Sequence, residues 1–392
     1  MGSALEGKFQ PGACGLIMQL SQLPSPCFVI DEGSLIRNLE ILKGVKERCG
    51  CKILLAQKAF SAFALYGLIS EYLDGATASG LYEARLGREA FRGQNHVFCT
   101  AYKDCDFDEI AQICDHVVFN SVSQLGRFKD RALKCGAEVG IRVNPQCSTQ
   151  CDHAIYDPCS AGSRLGVTAE QLQPSLFDGV SGIHFHTLCQ QNSDALKITL
   201  DAVEEKFGKY FGLIKWINFG GGHHITREDY DIDTLCDCVM RMKNKYGLEV
   251  YLEPGEAVAL NAGFLETQVL DIVKNQIEIA ILDASAACHM PDVLEMPYRP
   301  PLLNSAMPGE KPHTYRLAGP TCLAGDVIGD YSFDAPLQPG QSLSFADMAI
   351  YSMVKTNTFN GTPLPAIAIR HSNGECSLIK EFSYEDFKGR LS

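Results

Sequence analysis

The chain has 392 residues, 46% of them hydrophobic and 21% charged, a balance that excludes a disordered tail, a collagen and a coiled coil. Its 34 basic and 47 acidic residues leave a formal charge of −13, which disfavours nucleic acid and anionic membranes as partners. No apolar run reaches the roughly 18 residues of a membrane-spanning helix, and the N-terminal segment lacks the basic start and continuous apolar stretch of a secretion signal.

The seventeen cysteines run from Cys14 to Cys376 without a CxxC pair, and they read as reduced thiols of a cytoplasmic protein, mostly small buried hydrophobes. Cys27–Ile30 reads as an early strand. Short apolar runs then recur at Ile53–Ala56, Ala76–Ser79, His96–Cys99, His116–Phe119, Glu138–Val143, Gly179–His186, Lys215–Phe219 and Leu248–Leu252. Between them, Ser61–Leu73, Leu81–Phe91 and Ser121–Lys134 carry helical spacing. Strand–helix alternation implies parallel strands with right-handed crossovers, and about eight of them close a barrel; an open doubly wound sheet is the alternative. After about residue 257 the texture becomes short and β-prone, at Phe264–Val273, Gln276–Asp283 and Leu343–Phe345, with proline-rich stretches between. The expected fold class is therefore α/β: a TIM-type (β/α)8 barrel over residues 31–257, and a mostly β domain of residues 258–392 that includes the N-terminal strand of residues 1–30.

In such a barrel the reactive residues lie just past the C-terminal ends of the strands. One rim then carries Lys58, Arg142, His184 and His186, Gly220–Gly222, and Glu253 with Gly255 and Glu256. Each has a plain alternative. A lysine after an apolar strand is usually its first solvated residue. His184 and His186 share a strand face and could form a metal pair, but no third ligand is evident near them and no metal is expected. The glycines could be a turn, and Glu253–Pro254–Gly255 a loop start. Together, however, a lysine for a Schiff base, glycines for a phosphate and a carboxylate for a pyridine nitrogen are the parts that pyridoxal 5'-phosphate requires.

The ordered segments Leu55–Ala56–Gln57–Lys58, Phe185–His186, Phe219–Gly220–Gly221–Gly222, Glu253–Pro254–Gly255, Gly319–Pro320–Thr321–Cys322, Phe345–Tyr351 and Thr358–Gly361 resemble the pyridoxal-phosphate decarboxylases of the alanine-racemase-like fold, the group containing the ornithine and diaminopimelate enzymes. The resemblance implies that Lys58 links covalently to the cofactor and that His186 stacks on its ring. It implies that Gly221, Gly222, Gly255 and Tyr351 hold the phosphate, with Arg142 also at the cofactor. Glu253 would pair with the pyridine nitrogen. Cys322 would act near the substrate Cα, reaching into the other subunit of a homodimer with shared active sites.

Three departures narrow the expectation. Glu256 stands where ornithine and diaminopimelate decarboxylases carry arginine, Leu323 stands where an acid often follows the cysteine, and the serine after the ring-stacking histidine is lost from His186–Thr187–Leu188–Cys189. These features resemble the carboxynorspermidine/carboxyspermidine decarboxylase branch, in which Glu256 and Asp292 would bind the ammonium groups of a small polycationic amino-acid substrate. The implied products are norspermidine or spermidine. Decarboxylation of diaminopimelate, lysine, arginine or ornithine is the alternative. A non-catalytic regulatory paralogue is disfavoured by the presence of Lys58 and Cys322, and a racemase by Glu253.

Overall fold

The first strands of the described residues, 16–150 and 154–392 of a computed structural model, are β1 (Leu16–Met18) and β2 (Cys27–Asp31). Eight parallel strands follow: β3 (Lys52–Ala56), β4 (Gly75–Ala78), β5 (Gln94–Phe98), β6 (His116–Phe119), β7 (Glu138–Arg142), β8 (Gly182–His184), β9 (Trp216–Asn218) and β10 (Glu249–Leu252). They form a closed barrel, sealed where Tyr251 and Leu252 of β10 pair with Lys52 and Ile53 of β3. The chain divides into two units, residues 36–260 and residues 1–35 with 261–392. Among the described residues no helix is long and apolar enough to cross a membrane.

The barrel interior is filled by aromatic side chains. Trp216 packs with Leu54, Val118 and Tyr251. A Cβ on Gly140 or Gly182 would meet the Trp216 ring at 2.3 or 2.0 Å, so these neighbouring strands carry glycine where the indole lies. The indole Nε1 donates to Glu138 Oε2 at 2.8 Å, and His116 stacks between Trp216 and His96.

Helices Leu81–Ala90, Asp104–Ile113, Val122–Lys134, Ser193–Phe207 and Ile232–Tyr246 return the chain between strands. Ser121 and Asp231 cap two of them by accepting from Gln124 N and Thr234 N. The stretch Ser61–Leu73 departs from its expected helix. It forms only a 3-10 turn, Phe63–Leu65, and one helical turn, Tyr66–Ile69. Gly67 lowers helix propensity there, and Ser61 and Ser70 hydroxyls donate to the carbonyls of Gln57 and Gly67. After β7 the described chain makes 3-10 turns rather than an α-helix before reaching β8.

Among the described residues the second unit holds a nine-stranded sheet. Its later strands are β11 (Gly263–Asn275), β12 (Ile277–Leu282), β13 (His313–Ala318), β14 (Val327–Phe333), β15 (Ser342–Ala346), β16 (Ala366–Arg370) and β17 (Cys376–Lys380). The order is β1-β17-β16-β2-β11-β12-β13-β14, with β15 also on β11. The N-terminal β2 lies parallel to β16 and antiparallel to β11. Its Phe28 joins Leu265, Leu317, Tyr331 and Phe345 in a buried core. The fold is thus the expected barrel with a mostly β domain that recruits the N-terminal strand.

Candidate active site

The strand ends of the barrel unit converge on a cavity of about 220 Å³ lined by Lys58, Thr77, Arg142, His184, His186 and Glu253 among others. Lys58 follows β3 directly. The preceding Gln57 is fully buried, donates to Glu83 O at 2.9 Å and accepts from Tyr66 OH at 3.2 Å, which fixes the strand end. The Lys58 side chain meets solvent in the cavity but lies deep among protein atoms. Burial, reinforced by the Arg142 charge and opposed by Glu253, holds its pKa below the usual lysine value, which favours the neutral nucleophilic amine.

Arg142, at the end of β7, is buried. Its Nη2 donates to His186 O at 3.1 Å, and its guanidinium lies 4.6 Å from the Phe98 ring centroid. Burial lowers its pKa to about 10, so it stays cationic at neutral pH. His184 and His186 have their pKa values pushed well below the ordinary histidine value, first by burial and then by Arg142 and Lys58. Both rings are therefore neutral.

Glu253 follows β10. Its Oε1 accepts from Asn218 Nδ2 at 2.8 Å, and its Oε2 lies 3.7 Å from His184 Nε2. Burial raises its pKa, while the Asn218 hydrogen bond and Lys58 pull it down. The sequence suggested no third ligand for the histidine pair, yet folding supplies one: ligand atoms of His184, His186 and Glu253 lie within 4.8 Å of one another.

The glycine triplet is wedged between two segments. A Cβ on Gly221 would meet Glu253 O at 2.5 Å, and one on Gly222, at φ +83°, would meet Leu188 O at 2.0 Å. The Gly221 amide donates to His186 Nδ1 at 3.3 Å, and the Gly220 amide to Asn218 Oδ1 at 2.8 Å. Gly255 is equally constrained, since its Cβ would meet that of Ala59 at 2.6 Å, one residue beyond Lys58. Glu256 accepts from Gln190 Nε2 at 2.6 Å and lies 3.8 Å from His224.

The site residues expected in the barrel thus share one rim, whereas Asp292, Cys322 and Tyr351 belong to the sheet unit. Asp292 and Glu295 there both accept from Lys355 Nζ. Cys322 is exposed, and its amide donates to Asn360 Oδ1 at 3.4 Å. Tyr351 has a positive φ of 51°, a conformation rare for a tyrosine. The sequence assigns no role to Thr77 or to Asn218, although Asn218 opens the rim segment that runs into the glycines.

The cavity fits a pyridoxal cofactor on its own chemistry. It combines an amine open to the cavity with a buried acid whose burial a cationic ring nitrogen would offset. The buried His184 has both ring nitrogens without a hydrogen-bond partner.

Residues 27–349 match the family model described as pyridoxal-dependent decarboxylase, C-terminal sheet domain. The chain is 40% identical to a carboxynorspermidine/carboxyspermidine decarboxylase of Campylobacter jejuni, over 95% of this chain and 100% of that protein. It is 41% identical to a carboxyaminopropylagmatine decarboxylase of Synechocystis, over 95% and 97%. The crystal structure of carboxynorspermidine decarboxylase complexed with norspermidine, from Campylobacter jejuni, superposes with a TM-score of 0.87 at 39% identity, covering 94% of this chain and 100% of that one.

Proposed function

Because this chain belongs to the pyridoxal-dependent decarboxylases, we propose that it binds pyridoxal 5'-phosphate through Lys58 and decarboxylates carboxynorspermidine, carboxyspermidine or both, giving norspermidine or spermidine. The single observation that carries this reading is that Lys58 lines one cavity together with Glu253, His184 and His186. Bound there, the cofactor would supply an electron sink for the bond to carbon dioxide. Glu253 would hold the ring nitrogen protonated. His186 would present its ring face, with Nδ1 fixed by the Gly221 amide. Gly222, Gly255 and Tyr351 would bind the phosphate together with Gly221. Arg142, tied to His186 O, would hold the cationic side of the cavity.

Cys322 would deliver the proton to Cα, from the partner subunit of a homodimer with shared sites. Glu256 and Asp292 would take the ammonium groups of the substrate tail, where charge complementarity gives selectivity. We place the enzyme in the cytosol, where its cysteines, all free among the described residues, would stay reduced.

A second reading is favoured by one relative. The Synechocystis protein is as similar to this chain as the Campylobacter one, and its substrate derives from agmatine, which ends in a guanidinium. Mass spectrometry of products, after incubation of the cofactor-loaded protein with each acid separately, tests both. Norspermidine or spermidine supports the first reading. Turnover of the agmatine-derived acid alone supports the second, and turnover of neither overturns both.

A further inference from the structure

The loop that carries Cys322 is organised around a buried carboxylate. Asp326 is 3% exposed. Its Oδ1 accepts from Ser285 Oγ at 3.0 Å and from the Ala287 amide at 3.1 Å. Its Oδ2 accepts from Ser285 Oγ at 2.9 Å, Thr321 Oγ1 at 2.7 Å and the Thr321 amide at 3.3 Å. The Asp326 backbone closes the same loop, its carbonyl accepting from Gly319 N at 2.8 Å and its amide donating to Leu323 O at 2.9 Å. A Cβ on Gly319 would lie 2.2 Å from Asp326 Oδ2, so the carboxylate rests where only glycine leaves room.

Cys322 itself is exposed, so packing of its own side chain does not fix it. Its neighbours do. Thr321 is held by Asp326 on one side. On the other, the Cys322 amide meets Asn360 Oδ1, on a residue with φ +60°. The segment before Asn360 returns to the same anchor: Asn357 Nδ2 donates to Ala287 O at 2.8 Å and Asn357 N to Cys288 O at 2.9 Å. The turn at residues 285–288 therefore ties both sides of the cysteine to one point.

We infer that Asp326 is a positioning residue, fixing the Cys322 loop against the Ser285–Cys288 turn so that the thiol is held in place for its role in turnover. This rests on the proposed role of Cys322. Asp326→Asn keeps the size of the side chain but turns one acceptor into a donor. That donor must face either the Ala287 amide or the Thr321 amide, so one tether breaks. Thr321→Ser keeps both donors and should behave as the native chain.

The experiment compares iodoacetamide labelling of Cys322 in the cofactor-loaded protein with labelling of the exposed Cys105 and Cys135, mapped by peptide mass spectrometry, alongside steady-state kinetics. For Asp326→Asn and Ser285→Ala, the ratio of Cys322 labelling to the two controls should rise several-fold. Their kcat should fall about tenfold or more with KM little changed, as expected for a misplaced reacting group. Thr321→Ser should leave both readouts unchanged. A labelling ratio that stays constant in Asp326→Asn overturns the inference. So does a kcat loss accompanied by equal losses of cofactor content and melting temperature. Cys322→Ala separates the two layers: full activity there removes the catalytic reading of Cys322, while the labelling ratio reports on the tether without any turnover.

Discussion

Asn218 links Glu253 to the glycine loop: its Nδ2 donates to Glu253 Oε1 at 2.8 Å, and its Oδ1 accepts the Gly220 amide at 2.8 Å. One amide side chain at the end of β9 therefore holds both the acid proposed for the ring nitrogen and the backbone proposed for the phosphate. Asn218→Ala leaves Glu253 buried without its best donor, which raises its pKa further and weakens its hold on a cationic ring. A hydrogen bond to a charged group is worth about 1.5–3 kcal/mol. Absorbance titration of the cofactor should show affinity reduced about ten- to hundredfold. Unchanged affinity would mean that the two bonds are structural ornament.

Lys58→Ala should abolish the covalent cofactor link and nearly all activity. Borohydride reduction of the native protein followed by peptide mapping should place the pyridoxyl group on Lys58. The same group on another lysine would remove Lys58 from its assigned role.

The proposed shared site makes a statistical test possible. Inactive Lys58→Ala mixed with inactive Cys322→Ala should recover about a quarter of native sites when subunits exchange randomly. No recovery, with exchange demonstrated by tagged subunits, would place the cysteine in its own chain's site.

Glu256→Gln and Asp292→Asn should each reduce kcat/KM on a triamine acid about ten- to hundredfold, by the loss of one charged hydrogen bond, with the cofactor band intact. The Asp292 change also removes a partner of Lys355, whose ammonium would keep Glu295. Full efficiency in both variants would leave the substrate tail without its assigned anchors.

The barrel floor should respond to acid. Burial lowers the His116 pKa from 6.5 to about 4. The unfolded chain then binds this proton at higher pH than the folded one, so stability is intact above pH 6.5 and is lost as pH falls toward about 4. The loss from this one group sets in as pH falls below 6.5 and grows through pH 5. His116→Phe, which can keep the stack on Trp216, should flatten the fall of melting temperature over that range. An unchanged slope would mean that other groups control it.

Much of this architecture is legible in the sequence because each barrel strand is an apolar run ending at a chemically distinctive residue. Lys58, Arg142, His186, Gly221 and Glu253 stand at or just past strand ends by that rule, while their roles come from the resemblance. Ser61–Leu73 misleads because its apolar spacing is helical while Gly67 and two serines compete for the backbone. The gathering of His184 with Glu253 is hidden because β8 and β10 are far apart in sequence and meet through β9. Asp326 is hidden for a similar reason: its significance lies in Ser285, 41 positions earlier, and no local pattern links them.

The most direct test is the ratio of kcat/KM for carbon dioxide release from carboxynorspermidine and carboxyspermidine to that from diaminopimelate, ornithine, lysine and arginine. The triamine acids should exceed each of these four by about tenfold or more, as one charged contact at the tail would give. A preference for diaminopimelate or for any of the other three would contradict this.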